Sequence, residues 1–109
     1  MMIRNALFTD AEVAALFLKG NGEPETLSEE ERLRYRLILF NIVESLANIF
    51  QQSRYAGLME SWEAQESVAQ RILTPPGGRW FWENYGREFA ESFRDEVARI
   101  CPELPRPRV

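Results

Sequence analysis

A chain of 109 residues with 45% hydrophobic residues, a formal net charge of −4 and no histidine has the size of one domain and enough apolar side chains for a core without metal or disulfide support. The acidic balance lacks the basic face of a nucleic-acid binder, and neither a signal peptide nor a run of about 20 apolar residues points to export or to a membrane span. Without histidine there is no Ser-His-Asp triad, Cys-His pair or His-containing zinc site, and the single Cys101 cannot close an internal disulfide, which points to a reducing, cytoplasmic setting.

Met1 to Phe8, with Met2, Ile3, Leu7 and Phe8 apolar, reads as the stub of a longer helix. Thr9 and Glu12 have the spacing of a capping box for a first helix. Its Val13, Leu16 and Phe17 share a face before Lys19 and Gly20 stop it. Asn21 to Thr26 is a loop by composition. Ser28 and Glu31 then form a second capping box and open a long helix over about residues 29–56, closed by Gly57 as a left-handed cap. At about 1.5 Å per residue it is roughly 40 Å long and spans the domain.

Within this helix Leu33, Leu37, Phe40, Ile42, Val43, Leu46, Ile49 and Phe50 make an apolar surface broader than one stripe, so neighbours are expected on more than one side. Asn41, Glu44, Asn48 and Gln52 recur every three or four residues, a solvated face by preference and otherwise a hydrogen-bonded seam toward a partner or pocket. Glu29, Glu30 and Glu31 complement the positive end of the helix dipole, which is capping chemistry rather than a cation site.

Leu58 to Leu73 has the spacing of a third helix. Thr74-Pro75-Pro76-Gly77-Gly78 ends it in a short hinge where the glycines permit positive φ. Arg79 to Tyr85 opens the fourth helix, and Phe81, Tyr85, Phe89 and Phe93 repeat every four residues as a core stripe. Trp80 and Trp82 point away from that stripe, so Arg79, Trp80 and Trp82 are the candidate interface. The helix breaks near Ala90, restarts at Glu91 and runs through Ile100; residues 102–109, rich in Pro and Arg, read as a disordered tail. The fold class is therefore all-α: a single domain over 1–101, a small bundle of four to five helices around the long central one.

The ordered segments Asp10-Ala11-Glu12-Val13-Ala14, Leu27-Ser28-Glu29-Glu30-Glu31-Arg32, Tyr55-Ala56-Gly57-Leu58, Trp62-Glu63, Pro76-Gly77-Gly78-Arg79-Trp80-Phe81-Trp82 and Phe89-Ala90-Glu91-Ser92-Phe93-Arg94 cover most of the chain. In that order it resembles a group of uncharacterised bacterial helical proteins, domains of unknown function, whose typical members carry an N-terminal transmembrane helix and a basic juxtamembrane stretch. The resemblance implies a helical domain held at the cytoplasmic side of a membrane in typical members. This chain lacks that membrane helix and is shorter after Gly57, so membrane attachment is not carried over, and the group supplies no catalytic residue.

The residues assign no catalytic group, metal ligand or cofactor. Gly77-Gly78 lacks the Lys-Ser/Thr of a phosphate-binding loop and is a turn. Cys101 has no basic neighbour except Arg99 to lower its pKa. Three functions remain. The preferred one is a non-enzymatic protein-interaction or scaffold domain that self-associates or docks another protein. The alternative is a small acidic regulator filling a basic site on another protein, which requires Glu23, Glu25, Glu29, Glu30, Glu60, Glu63 and Glu66 to share one face. The third is a small-molecule pocket or carboxylate enzyme at Glu44, which requires a cavity reaching that residue.

Overall fold

A computed structural model of the chain describes residues 10–108. Among them are five helices of eight residues or more: α1 (Asp10–Gly22), α2 (Glu29–Ala56), α4 (Glu66–Leu73), α5 (Pro76–Tyr85) and α6 (Glu91–Ile100). A short α3 (Met59–Glu63) and two 3-10 turns, Pro24–Thr26 and Gly86–Glu88, complete the chain, and no strand occurs among the described residues. The small all-α bundle holds. The expected Met1–Phe8 stub and the Thr9 cap lie outside the described residues.

Local chemistry places both ends of α2. Ser28 Oγ accepts from the Glu31 N–H at 3.1 Å, and the Glu31 carboxylate accepts from the Ser28 N–H at 2.9 Å, a complete capping box. At the other end Gly57 has φ 72°, the one positive φ among the described residues. The Leu58 N–H reaches Ser53 O at 2.8 Å and the Gly57 N–H reaches Arg54 O at 3.3 Å, the paired bonds of a Schellman cap. The 28 residues between them match the 40 Å long axis of the molecule.

The helix buries Tyr35, Leu39, Val43, Leu46, Phe50 and Ser53. Leu33 and Leu37, expected in the core, are about half exposed. Each lies two residues from Tyr35, hence about 200° around the helix from it, so the helix cannot bury all three on one side. Tyr35 takes the core because α1 and α5 close on it. A Cβ at Gly20 would sit 2.3 Å from Tyr35 Cδ1, and one at Gly77 would sit 2.2 Å from Tyr35 Oη and 2.1 Å from Gly20 O. Two glycines thus let three helices meet on one phenol, whose hydroxyl donates to Asn21 Oδ1 at 2.5 Å. Accordingly α1 does not stop at Gly20 but runs on to Gly22.

The Gly77-Gly78 hinge also differs from expectation. Neither glycine has positive φ; both belong to the first turn of α5, which starts at Pro76. They are needed for close approach, since a Cβ at Gly78 would meet Ile72 O at 2.1 Å. The helix expected over Leu58–Leu73 is interrupted at Ala64-Gln65. That break turns Trp62 inward, fully buried, with its ring 5.3 Å from Phe50 and 6.1 Å from Phe93.

The aromatic stripe does form core, folded around a corner. Phe81 and Phe93 are fully buried and Phe89 nearly so, and the corner Gly86–Ala90 keeps Phe89 within 6.4 Å of Phe81 and 5.9 Å of Phe93. Arg94 pins the corner by donating to the carbonyls of Arg87 and Phe89. The tail, read as disordered, lies against α5: the Arg108 N–H donates to Glu83 O at 2.8 Å, and Pro107 fills the space a Cβ at Gly86 would occupy.

Two glycine substitutions in α1 have opposite expected signs. Gly20→Ala, driving a methyl into the Tyr35 ring, should cost about 1–3 kcal/mol and lower Tm by at least about 4 °C. Gly22→Ala, where nothing lies within 4 Å, should stabilise by up to about 1 kcal/mol. Thermal melts of the two variants read both.

Candidate interaction surface

Helix α5 sorts the three predicted interface residues into different environments. Trp82 is 2% exposed, stacked on Phe89 at 5.8 Å and edge-on to Phe93 at 6.1 Å, so it is core and cannot be an interface residue. Trp80 is half-buried, with its ring 6.2 Å from Tyr35 and 5.8 Å from Tyr85. Arg79 is exposed, but its Nε donates to Thr74 O at 2.9 Å, tying the start of α5 to the end of α4. Two positions of helix point Trp80 and Trp82 about 200° apart, and only packing decides which goes inside.

Glu44 lies exposed on α2 within the Asn41, Glu44, Asn48, Gln52 line, all four of which face solvent. The grooves described below are lined by other residues, so the cavity an enzyme or pocket at Glu44 would require is not among them. The carboxylates of the acidic-regulator reading divide between the ends of the molecule. Glu23, Glu25, Glu29 and Glu30 gather where α2 begins, whereas Glu60, Glu63 and Glu66 flank Trp62, which packs on Phe50 about 30 Å further along. They form two groups about 30 Å apart rather than one patch.

Cys101 is 1% exposed, and burial, helped by the Glu103 carboxylate, pushes its thiol up to about 11. A nucleophilic cysteine needs the opposite environment. At the far side of the core, the buried Trp62 indole donates to Glu96 Oε2 at 2.7 Å. Arg99 donates to both Glu96 oxygens, at 2.6 and 3.1 Å, and to Glu66 Oε2 at 2.8 Å. The bonds from Arg99, with that from Trp62, hold the Glu96 carboxyl below its ordinary value against the opposing effect of burial. This cluster joins α3, α4 and α6 and is structural. Among the described residues no buried side-chain polar atom lacks a partner, and no group of acidic or sulfur side chains could hold a metal.

The surface that remains is the outer side of α2. Leu33 and Leu37 stand one helical turn apart, 50% and 49% exposed. Beside them a groove of about 180 Å³ is lined by Arg36, Leu37, Phe40, Tyr85 and Glu88. Phe40 and Tyr85 are half-buried; the Phe40 ring lies 5.3 Å from Phe89, and the Arg36 guanidinium covers the Tyr85 ring at 4.8 Å. Glu88, on the 3-10 turn, is exposed and has no ionic partner among the described residues. Sequence reasoning assigned Leu33, Leu37 and Tyr85 to the core. The signal available was the Leu33, Tyr35, Leu37 alternation, which on a helix forces one set outward.

A second groove, of about 560 Å³, lies between α6 and the tail, with Trp82, Val97 and Leu104 in its apolar lining. Its charged lining mixes Arg87, Arg94, Arg106 and Arg108 with Glu88, Glu91 and Asp95, so neither sign dominates. Among the described residues no helix is long and apolar enough to cross a membrane. No family model, curated protein or solved structure matches the chain.

Two measurements check these assignments. Cys101 should resist maleimide labelling at about pH 8 in the native protein and react once the chain is unfolded; labelling at the free-thiol rate would place it at the surface. Because the folded Glu96 pKa lies below its ordinary 4.5, the stability this carboxylate contributes is complete above about pH 4.5 and fades as pH falls through the lower folded value. Wild type should therefore lose more unfolding free energy on acidification than Glu96→Gln, as read by urea titrations at a series of pH values.

Proposed function

We propose that this chain is a non-catalytic protein-interaction domain of the cytoplasm that docks a partner on the outer side of α2. The observation that carries this reading is the pair Leu33 and Leu37, half exposed on the longest helix of the fold and bordered by the Phe40–Tyr85 groove. Apolar side chains at i and i+4 beside an aromatic groove suit an apolar helix or a matching patch on a partner. A polar rim of Arg36, Glu88 and Asn41 would give orientation, while the buried centre supplies most of the affinity. The reading needs no reactive group, in keeping with a sequence without histidine and a sealed thiol. The acidic-regulator alternative loses support because its carboxylates divide between the two ends of the molecule.

A photo-crosslinking amino acid placed at position 37, in cells that normally make the protein, tests the reading. A discrete adduct is expected at position 37 and none at the solvated position 52. No adduct from position 37 in the folded protein would remove it.

A further inference from the structure

The tail is held on the end of α5 through Glu83 and on the turn that follows through Gly86. The Arg108 N–H donates to Glu83 O at 2.8 Å, and the Arg108 guanidinium lies 3.8 Å from Glu83 Oε1. Glu83 stands in the last turn of α5, whose carbonyls run short of helical partners, and the tail supplies a donor. Pro107 Cγ and Trp82 Cδ2 lie 2.7 and 2.8 Å from the point a Cβ at Gly86 would occupy, so the missing side chain leaves the Pro107 ring beside the Trp82 indole.

Each contact asks the tail for one property. The space at Gly86 takes a ring that needs no N–H of its own, Glu83 O takes the N–H of the next residue, and the Glu83 carboxylate takes that residue's cation. Together these requirements describe proline followed by arginine. The segment is also shaped in advance, because Pro105 and Pro107 fix their own φ and push Leu104 and Arg106 toward extended backbone, which lowers the entropy lost on docking. Aromatic grooves recognise proline-rich segments for the same reason. The hold is light, however: residues 102–108 are all exposed or half-buried, and the Arg108–Glu83 pair joins side chains that are 68% and 36% exposed, where solvent weakens it.

We infer that the surface made by Trp82, Glu83 and Gly86 is a binding seat for a proline-arginine segment of a partner protein, filled in cis by the chain's own Leu104 to Arg108 as a releasable strap. The incoming segment repeats the three contacts once the strap lifts, and Val97 and Ala98 of α6, which line the groove beside the tail, offer it further apolar surface. The seat involves neither Leu33 nor Leu37 and does not depend on docking at α2.

The test uses the full chain carrying Pro107→Gly and Arg108→Glu, which withdraws the ring and reverses the cation while leaving the seat intact. A capped peptide, Leu-Pro-Arg-Pro-Arg-Val, copied from residues 104–109, is titrated into this released variant and into wild type, followed by NMR shifts of the Glu83 and Gly86 amides and the Trp82 indole. Saturable shifts are expected in the released variant, with binding to wild type at least about fivefold weaker because its tail competes at an effective concentration in the millimolar range. Peptides with alanine in place of the residue matching Pro107 or Arg108 should each bind at least about threefold more weakly. Adding Glu83→Lys should weaken the parent peptide and leave the peptide without that arginine unaffected. A folded released variant that takes up no peptide, equal binding to both proteins, or indifference to both alanine replacements overturns the inference. So does a released variant melting more than about 10 °C below wild type, since the tail would then be part of the bundle rather than a strap.

Discussion

The structure depends on a close approach: α1, α2 and α5 converge on the Tyr35 side chain, and only glycine at positions 20 and 77 leaves room for it. A buried aromatic ring contributes a large apolar area, but its hydroxyl must find a partner when water is excluded. Asn21, next to Gly20 on the same helix, accepts that hydrogen bond, so one turn of α1 supplies both the space for the ring and the acceptor for its hydroxyl. Burial pushes the phenol's pKa upward, which favours the neutral, donating form.

From that point the rest of the packing follows along α2. Toward its C-terminus Phe50 meets Trp62 and Phe93, and the chain reaches them by two breaks, at Ala64-Gln65 and at the Gly86–Ala90 corner. Each break costs helical hydrogen bonds, and each is offset by specific polar bonds. Gln70 donates to Ile100 O at 2.8 Å, Gln51 donates to Ser92 Oγ at 2.7 Å, and Trp62 donates to Glu96. These three bonds tie α4 to α6, α2 to α6 and α3 to α6, so α6 closes the bundle although it is only ten residues long.

The same packing decides which side of α2 is left exposed. A helix about 40 Å long, held on one side by Tyr35, Leu39, Val43, Leu46 and Phe50, presents its other side without freedom to repack. Leu33 and Leu37 on that side retain half their exposure, and the Arg36 guanidinium lies over the Tyr85 ring at 4.8 Å. An apolar pair on a rigid support loses little conformational entropy when covered, which is the property a docking surface requires.

Some helix boundaries were legible in the residues themselves. Ser28 with Glu31, Gly57 with its left-handed φ and the restart at Glu91 act through bonds within a few positions of the chain, so local chemistry is enough to place them. The start of α5 at Pro76, ahead of the expected Arg79, was not, because Gly77 and Gly78 enter the helix through close approach to remote groups. The all-α class and the core role of Phe81, Phe89 and Phe93 follow from spacing of the same kind. Which side of each helix faces inward was not legible. Period fixes only relative angles, so Tyr35 against Leu33 and Leu37, and Trp82 against Trp80, were choices between opposite sides with similar apolar content. They were settled by groups remote in sequence: Gly20 and Gly77 closing on Tyr35, and Phe89 and Phe93 closing on Trp82. The tail shows the same division, because Pro and Arg composition encodes no local structure, and residues 102–108 take their place from Glu83 on α5 and Gly86 in the 3-10 turn that follows it. The sequence by itself determined both ends of α2 and the restart at Glu91, since capping and turn chemistry are local; the tertiary structure decided where α1 ends, where α5 begins, the break at Ala64-Gln65 and which faces are core, since close approach and burial are properties of what packs against them.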